Sequence, residues 1–262
     1  MPSQISSRMP VGFIGHGNPL SVANPGRTAP WSDWARRLPR PESILMVSAH
    51  WEDSPVTMGT TSRHDDLLYD FWGFPDFMYD LQYGAPGAPG LADRVESLLE
   101  PSVEVQRSER KLDHGAWIPL KRMWPDADVP VLQISMPIDL SEEHLFDLGR
   151  ELAPLRDEGV FILGTGNLVH DLRGASFQDD PTPPLFASEF DKWVAGALSA
   201  RDDSALVRWR ERAPEPLRSH PSAEHYRPIL VAAGASEGES ASFTVEGFEH
   251  GTISRRSVHF QT

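Results

Sequence analysis

The chain has 262 residues, enough to bury a substantial hydrophobic core as one large domain or two small ones. It has no cysteine, which excludes disulfides, thiolate-bound zinc, iron–sulfur clusters and cysteine nucleophiles, so any metal must be held by imidazole and carboxylate groups. With 38 acidic and 24 basic residues the net charge is −14, which disfavours nucleic acid and anionic membrane surfaces as partners. We therefore expect a small-molecule partner.

The N-terminal residues lack the charged and then apolar layout of a signal peptide, and no apolar run approaches the roughly 18 residues of a membrane span. A cytoplasmic protein that does not bind membranes is expected. No stretch has the composition of a flexible linker, although 177–184 comes nearest, so we expect residues 1–262 to form a single domain. A monomer and a small homo-oligomer are both compatible with the sequence.

In chain order, apolar runs alternate with segments of helical spacing. The first run begins at Val11 and ends in a turn rich in glycine, asparagine and proline. Further buried strands are predicted at 43–49, 129–135 and 160–163, with shorter or terminal strands at 55–60, 103–106, 242–245 and 252–260. Helices are predicted at 31–38, 90–99, 142–156, 186–200, 205–213 and 228–235, together with a short one that ends at Met123.

The alternation of strands and helices predicts an α/β fold, a mixed β-sheet flanked by helices, with antiparallel strands added at one edge. Residues 65–83 are dense in aromatic side chains and interrupted by Gly73 and Pro75, so they predict a loop or lid rather than a regular helix. In an α/β sheet, ligands bind in the loops beyond the carboxyl ends of the strands. We therefore expect the active site at the strand ends.

The familiar phosphate-binding motifs are missing from the sequence, and Ser48 does not lie in a hydrolase motif. Gly164-Thr165-Gly166 follows an apolar run, but the third glycine of a GxGxxG fingerprint would fall at Val169. The sequence contains no GxxxxGK[ST] loop, and Ser48 lies in SAHW without the flanking glycines of a GxSxG elbow. Nucleotide binding and serine hydrolysis are therefore disfavoured.

Histidines are the most informative residues of the chain. His16, His50 and His170 each follow an apolar run closely, while His114 and His225 lie in turns with glycine or proline, where functional side chains are commonly presented. Imidazole clusters with a nearby carboxylate suit iron(II), manganese or zinc, and sequence spacing does not separate an iron(II) oxygenase from a zinc hydrolase. Ordinary structural or surface roles are expected for His64, His144, His250 and His259, and His220 is intermediate.

Six short segments of the chain form an ordered series of motifs. They are GHGNPL at 15–20, SAHW at 48–51, DFWGFPDFMY at 70–79, LDHGAW at 112–117, GTGNLVHDLR at 164–173 and HPSAEHYRPIL at 220–230. This series resembles that of the class III (LigB-type) extradiol ring-cleavage dioxygenases, in the same order and over about residues 11–260, and within that family it is most similar to the DOPA 4,5-dioxygenase branch. The resemblance implies a single catalytic domain that uses non-heme iron(II) and O₂ to cleave a catechol ring beside its two hydroxyls.

The resemblance also implies roles for the histidines. His16, His50 and His225 match residues of the metal site, and His170 matches a further ligand or the acid/base. His114 matches a histidine that contacts substrate or oxygen, so His114 and His170 are the expected catalytic residues. Glu224 adjoins His225, and the sequence leaves open whether this carboxylate joins the metal site and whether the metal is iron or zinc.

Two other functions use the same residues. One is a zinc-dependent hydrolase or amidase on the same scaffold, and the other is a non-catalytic protein that binds a metal or a catechol. The aromatic residues Phe71, Trp72 and Phe74 either cover a substrate ring or belong to the core, and Arg173 either meets a substrate carboxylate or lies in a surface ion pair.

Overall fold

The structure, a computed structural model, describes residues 8–177 and 181–261. Its strands are β1 (Val11–Gly15), β2 (Ser43–Glu52), β3 (Val56–Met58), β4 (Val105–Arg107), β5 (Val131–Met136), β6 (Val160–Gly166), β7 (Ser240–Val245), β8 (Phe248–Glu249), β9 (Ile253–Ser254) and β10 (Ser257–Gln261). Its helices are α1 (Pro25–Arg37), α2 (Pro89–Leu99), α3 (His114–Met123), α4 (Glu142–Leu152), α5 (Leu185–Ala200), α6 (Asp203–Val207), α7 (Trp209–Arg212), α8 (Pro216–Ser219) and α9 (Arg227–Ser236). Short 3₁₀ helices are Pro19–Ala23, Asp76–Tyr79 and Ala153–Glu158.

Eight strands form one mixed sheet in the order β4-β3-β5-β2-β6-β1-β10-β7. The central strands β5, β2, β6 and β1 run parallel. At one edge β10 pairs antiparallel with β1 and β7 pairs antiparallel with β10, and on the other side β3 pairs antiparallel with β5. The carboxyl ends of β1, β2 and β6 therefore lie side by side at one end of the sheet. The predicted α/β class, with a mixed sheet flanked by helices, is confirmed.

The central strands are buried on both faces, as expected for parallel strands covered by helices. Alternate residues of β2 enter different clusters, with Leu45 on the face that carries α4, α5 and α9 and Met46 on the face that carries α1 and α3. The largest buried side chains of the second face include Trp31, Trp34 and Trp117. This double burial holds the strand ends in fixed positions.

Several predicted boundaries move. The helix predicted at 142–156 ends at Leu152 and continues as a 3₁₀ helix, since Pro154 cannot donate the next helical hydrogen bond. The first helix begins at Pro25 rather than at residue 31, because the Asn24 side chain caps it by accepting from the Arg27 N–H. The helix predicted at 205–213 is two short helices, α6 and α7, and the strand predicted at 252–260 is β9 and β10.

The 177–184 stretch lies partly outside the described residues. None of the helices within 8–177 and 181–261 combines the length and apolar character that crossing a membrane requires.

Helices α4 and α9 approach each other closely at two glycines. A Cβ on Gly149 would lie 2.1 Å from the Val231 carbonyl oxygen, and one on Gly234 would lie 2.0 Å from the Phe146 carbonyl oxygen. Real Cβ atoms do not come so near to backbone oxygens, so only glycine permits this packing. The position of α9 on the sheet depends on it.

The Gly234→Ala variant should therefore be destabilised by about 1–3 kcal/mol, because the methyl group forces the two helices apart. Urea unfolding followed by circular dichroism measures this change. Gly196→Ala is the matched control, since Gly196 lies inside α5 with no atom within 4 Å of its would-be Cβ. The control should gain up to about 1 kcal/mol from helix propensity. Equal effects of the two substitutions would contradict the close-packing argument.

A candidate metal centre at the strand ends

Five histidines predicted from the sequence line one cavity of about 540 Å³ at the carboxyl end of the sheet. His16 follows β1 directly, and His50 lies inside the last part of β2, which extends three residues beyond its predicted end at position 49. His114 is the first residue of α3 rather than part of a turn. His170 lies in the segment that follows β6, and His225 lies in the segment that precedes α9.

His16, His50 and His225 form a near-equilateral group. Their ring centroids are separated by 5.0 to 5.2 Å, and one nitrogen from each ring lies within 4.8 Å of the others. The Nε2 atoms of His16 and His50 are 3.2 Å apart. Two nitrogens bound to one zinc or similar ion at about 2.0–2.1 Å are separated by about 3 Å, so this spacing fits ligands of one metal.

Hydrogen bonds fix which nitrogen of His16 and of His225 carries the proton. The Thr165 hydroxyl donates to the Gly115 carbonyl (2.8 Å), so its oxygen accepts from the Nδ1–H of His16 (3.0 Å). The Asn167 side-chain amide donates to the Ser254 carbonyl, so its Oδ1 accepts from the Nδ1–H of His225 (3.0 Å). Both rings therefore leave an unprotonated Nε2 for a metal, as outer hydrogen-bond partners of ligating histidines usually ensure.

The cluster is held in its uncharged form. Burial lowers the pKa of His16 well below its usual value, and the neighbouring His50 and His114 lower it further. Burial also lowers the pKa of His50 and of His225, with adjacent imidazoles adding to the effect, and it lowers the pKa of His170 to about 4. A neutral imidazole is the form that binds metals, so these rings are ready to coordinate at neutral pH.

Asp70 is a member of the site that the sequence analysis missed. Its Oδ1 accepts hydrogen bonds from the backbone N–H (3.0 Å) and the Nδ1–H (2.9 Å) of His114, and its Oδ2 lies 3.8 Å from Nδ1 of His50. Burial alone would raise the pKa of Asp70, but the hydrogen bonds and the nearby imidazoles outweigh it and lower this pKa to about 2. An ionised carboxylate only accepts, so Nδ1 of His114 carries a proton, and Nε2 is the unprotonated nitrogen of the neutral ring.

The start of α3 is tied to the sheet beneath the site. The buried Asp113 caps α3 by accepting from the Ala116 N–H, and it also accepts from the Ser48 hydroxyl at 2.7 Å. Gly115 makes the close approach possible, because a Cβ there would lie 2.7 Å from Cδ2 of His50. These contacts set His114 against His50, with ring centroids 4.0 Å apart.

Glycines in β6 bring His225 to the other side of the site. A Cβ on Gly166 would lie 2.2 Å from the His225 carbonyl oxygen, and one on Gly164 would lie 2.6 Å from the Pro228 carbonyl oxygen. The Gly164-Thr165-Gly166 sequence therefore allows the backbone around the start of α9 to lie on the strand. The two glycines that make this sequence look like a dinucleotide-binding loop are thus explained by backbone packing.

His170 and Glu224 lie beside His225 rather than among the three converging rings. The His170 ring stacks on that of His225 at 3.5 Å with an angle of 17°, and its backbone N–H donates to the Ser219 carbonyl. A nitrogen of His170 and a carboxylate oxygen of Glu224 lie within 4.8 Å of a nitrogen of His225, but the lone pairs of the two stacked rings lie in nearly parallel planes, so one ion cannot lie in both ring planes. Glu224 accepts from the Ser222 hydroxyl and is not among the described residues that line the cavity.

The aromatic segment divides between core and surface. Phe71 is buried against Trp117 and His114, whereas Trp72 projects into solvent at the mouth of the cavity. Arg173 is exposed and is not among the described cavity-lining residues. Of the remaining histidines, His64 and His220 are buried and contact backbone carbonyls, as expected for structural residues.

Removal of the Thr165 hydroxyl tests the positioning of His16. Thr165→Val keeps the shape but leaves the His16 Nδ1–H without its acceptor, so metal affinity should fall by about 10- to 100-fold. Titration with a competing chelator measures the affinity. Thr165→Ser should retain most of it, and the exposed Thr182→Val serves as an unaffected control. Parental affinity in Thr165→Val would contradict the assigned tautomer.

Comparisons with known proteins agree with a metal-dependent site. Residues 21–261 match the family described as the catalytic LigB subunit of aromatic ring-opening dioxygenase. The chain is 38% identical to the 4,5-DOPA dioxygenase extradiol of Escherichia coli, covering 97% of this chain and 95% of the relative. It is 36% identical to the protein of the same name from Beta vulgaris, covering 95% of each.

A solved structure, that of an uncharacterized protein from Escherichia coli K12, superimposes with a TM-score of 0.82 at 34% identity, covering 97% of this chain and 100% of that one. A more distant relative is the dioxygenase tasH of Hapsidospora irregularis, 29% identical over 89% of this chain and 81% of the relative. The predicted enzyme class, an extradiol ring-cleavage dioxygenase, is confirmed. The chain belongs to the LigB family of aromatic ring-opening dioxygenases.

Proposed function

We propose that the protein cleaves a catechol-type substrate such as DOPA with O₂, opening the ring beside its two hydroxyl groups to a muconic semialdehyde-type product. The observation that carries this proposal is the group of three uncharged imidazoles, His16, His50 and His225, in one cavity with the Asp70–His114 pair. Relatives that bear the name 4,5-DOPA dioxygenase extradiol support a DOPA-like catechol as the substrate.

His16, His50 and His225 are the proposed metal ligands, and iron(II) is the proposed metal. Two of these rings have their Nδ1 protons held by Thr165 and Asn167, so the set fits a cation that accepts nitrogen ligands. Bound iron(II) would supply a site that makes the catechol hydroxyls more acidic and that binds and reduces O₂. Zinc binds the same ligands, and it would suit a hydrolase instead.

His114 is the proposed acid/base, with Asp70 as its positioning residue. Its Nε2 is free to accept a proton from a substrate hydroxyl because its Nδ1–H donates to Asp70. The carboxylate stabilises the imidazolium that forms and holds the ring in one orientation, as in other histidine–aspartate pairs. His170, stacked on His225, is proposed to line the reacting ring and to act as a second acid/base rather than as a metal ligand.

A zinc-dependent hydrolase or amidase and a non-catalytic catechol-binding protein use the same histidines. Membership of a ring-opening family favours oxidative cleavage over both. We further propose that residues 1–262 act as one catalytic domain in the cytoplasm, as a monomer or a small homo-oligomer.

Protein loaded anaerobically with iron(II) should consume O₂ on addition of a catechol such as DOPA and form a yellow product. An oxygen electrode and the visible spectrum measure both changes, with metal content determined in the same samples. Zinc-loaded protein is the control and should consume none. No oxygen uptake with a panel of catechols by protein of verified iron content would contradict ring cleavage.

The ligand set has its own control in this assay. His225→Ala protein should bind no iron and show no uptake, because the third converging imidazole is lost. Glu224→Ala protein should keep both, because Glu224 belongs to a separate possible group with His170 and His225 rather than to the proposed three-histidine group.

Asp70→Asn should lower kcat by about 10²-fold or more at full iron content. The amide keeps the shape but loses the negative charge that stabilises protonated His114. Steady-state oxygen uptake gives kcat, and metal analysis of each preparation separates a proton-transfer defect from iron loss. Asp65→Asn is the matched control, since Asp65 is exposed and pairs with Arg63. Unchanged kcat in Asp70→Asn would exclude the pair from catalysis.

A further inference from the structure

The mouth of the cavity has an apolar rim, made of Trp72, Leu172 and Phe177. These side chains are 86%, 53% and 60% exposed, and all three line the cavity that holds the five histidines. Large apolar side chains grouped in solvent are unusual and commonly mark a binding surface. Their continuity with the reaction cavity indicates that the group they bind belongs to the substrate.

The rim comes from two segments that are far apart in the sequence. Trp72 follows Asp70 in the irregular loop 65–83, and behind it Phe74 packs on the buried Phe71 at 5.1 Å between ring centroids. Phe177 lies in the segment after β6 and packs on His250 at 4.7 Å. Both sides of the rim are therefore anchored to the body of the protein rather than hanging free.

The charges of the cavity do not complement an amino acid. Among the described residues that line it, Asp70 is the one with a permanent charge, and this carboxylate is already hydrogen-bonded to His114. No lysine or arginine is found among those lining residues, whereas carboxylate recognition in proteins typically uses arginine. The zwitterionic side group of DOPA would meet apolar carbon at the rim instead of a charged partner.

We propose that this enzyme prefers catechols with an uncharged, apolar side group, alkyl or aryl, which packs on Trp72, Leu172 and Phe177 while the two hydroxyls face the histidines. This inference rests on the ring-cleaving function proposed above; it keeps the catechol and replaces the DOPA-like side group with an uncharged, apolar one as the preferred substituent. Binding energy comes from the apolar area that leaves water, so affinity grows with the length of the side group until the rim is covered.

The test compares catechol, 4-butylcatechol and L-DOPA with the iron-loaded enzyme. The ratio of kcat/KM for 4-butylcatechol to that for L-DOPA should exceed about tenfold, given what burying several methylenes contributes. In Trp72→Ala the ratio of 4-butylcatechol to unsubstituted catechol should fall severalfold. Leu185→Ala is the matched control and should leave that ratio unchanged, because Leu185 is 77% exposed but does not line the cavity.

A second measurement separates this inference from the proposed reaction. Anaerobic calorimetry with the same three compounds gives Kd without turnover, and it should rank 4-butylcatechol tightest and weaken it severalfold in Trp72→Ala. If the enzyme cleaves catechol and its kcat/KM for L-DOPA equals or exceeds that for 4-butylcatechol, the inference is overturned while ring cleavage stands. If the parent enzyme prefers L-DOPA and Arg173→Ala loses that preference, the apolar-substituent inference is overturned in favour of a carboxylate-binding site at Arg173. If no catechol is cleaved, the proposed ring-cleaving function is overturned, and the ranking of Kd values still tests whether the rim binds apolar side groups.

Discussion

The site depends on the backbone packing between β6 and the start of α9. Alternate residues of a strand point to opposite faces, so Gly164 and Gly166 face one side and Thr165 the other. On the glycine side, the carbonyls of His225 and Pro228 lie where side chains would otherwise stand. On the other side, the Thr165 hydroxyl holds the Nδ1–H of His16. Three consecutive residues thus fix two of the candidate ligands relative to each other.

The remaining ligand is fixed from the opposite direction. His50 lies in β2, in the irregular stretch between Val47 and Glu52, and the parallel pairs on either side of it, Ser48 with Thr165 of β6 and Glu52 with Met136 of β5, hold its backbone. Its ring faces His114, which α3 presents at its first turn, and the packing tolerates no side chain at Gly115. Because a strand and a capped helix supply these side chains, the geometry is preorganised. The free energy needed to bring the uncharged imidazoles together is provided by folding.

Much of this arrangement was predictable because it follows from strand ends. His16, His50 and His170 stand after apolar runs, and parallel strands bring their carboxyl ends to one edge. Asp70 was not predictable in this way, since it lies in an irregular loop without period and only the folded chain brings it to His114. The roles of Thr165 and Gly166 were equally hidden, because a β-strand pattern does not reveal which backbone will approach it.

The loop that carries Asp70 has two proposed roles, one in proton transfer and one at the cavity mouth. In the sequence it is visible only as a segment rich in aromatic residues. Asp70 orients the proposed acid/base, Phe71 anchors the loop by packing on Trp117, and Trp72 stands at the cavity mouth. A substrate side group that packs on Trp72 therefore contacts the same short segment that holds His114 in place. By contrast, His50 lies in the sheet, His16 directly follows β1 and His225 precedes α9. The side chains of the rim can accordingly change without replacing any of the three histidines of the candidate metal site.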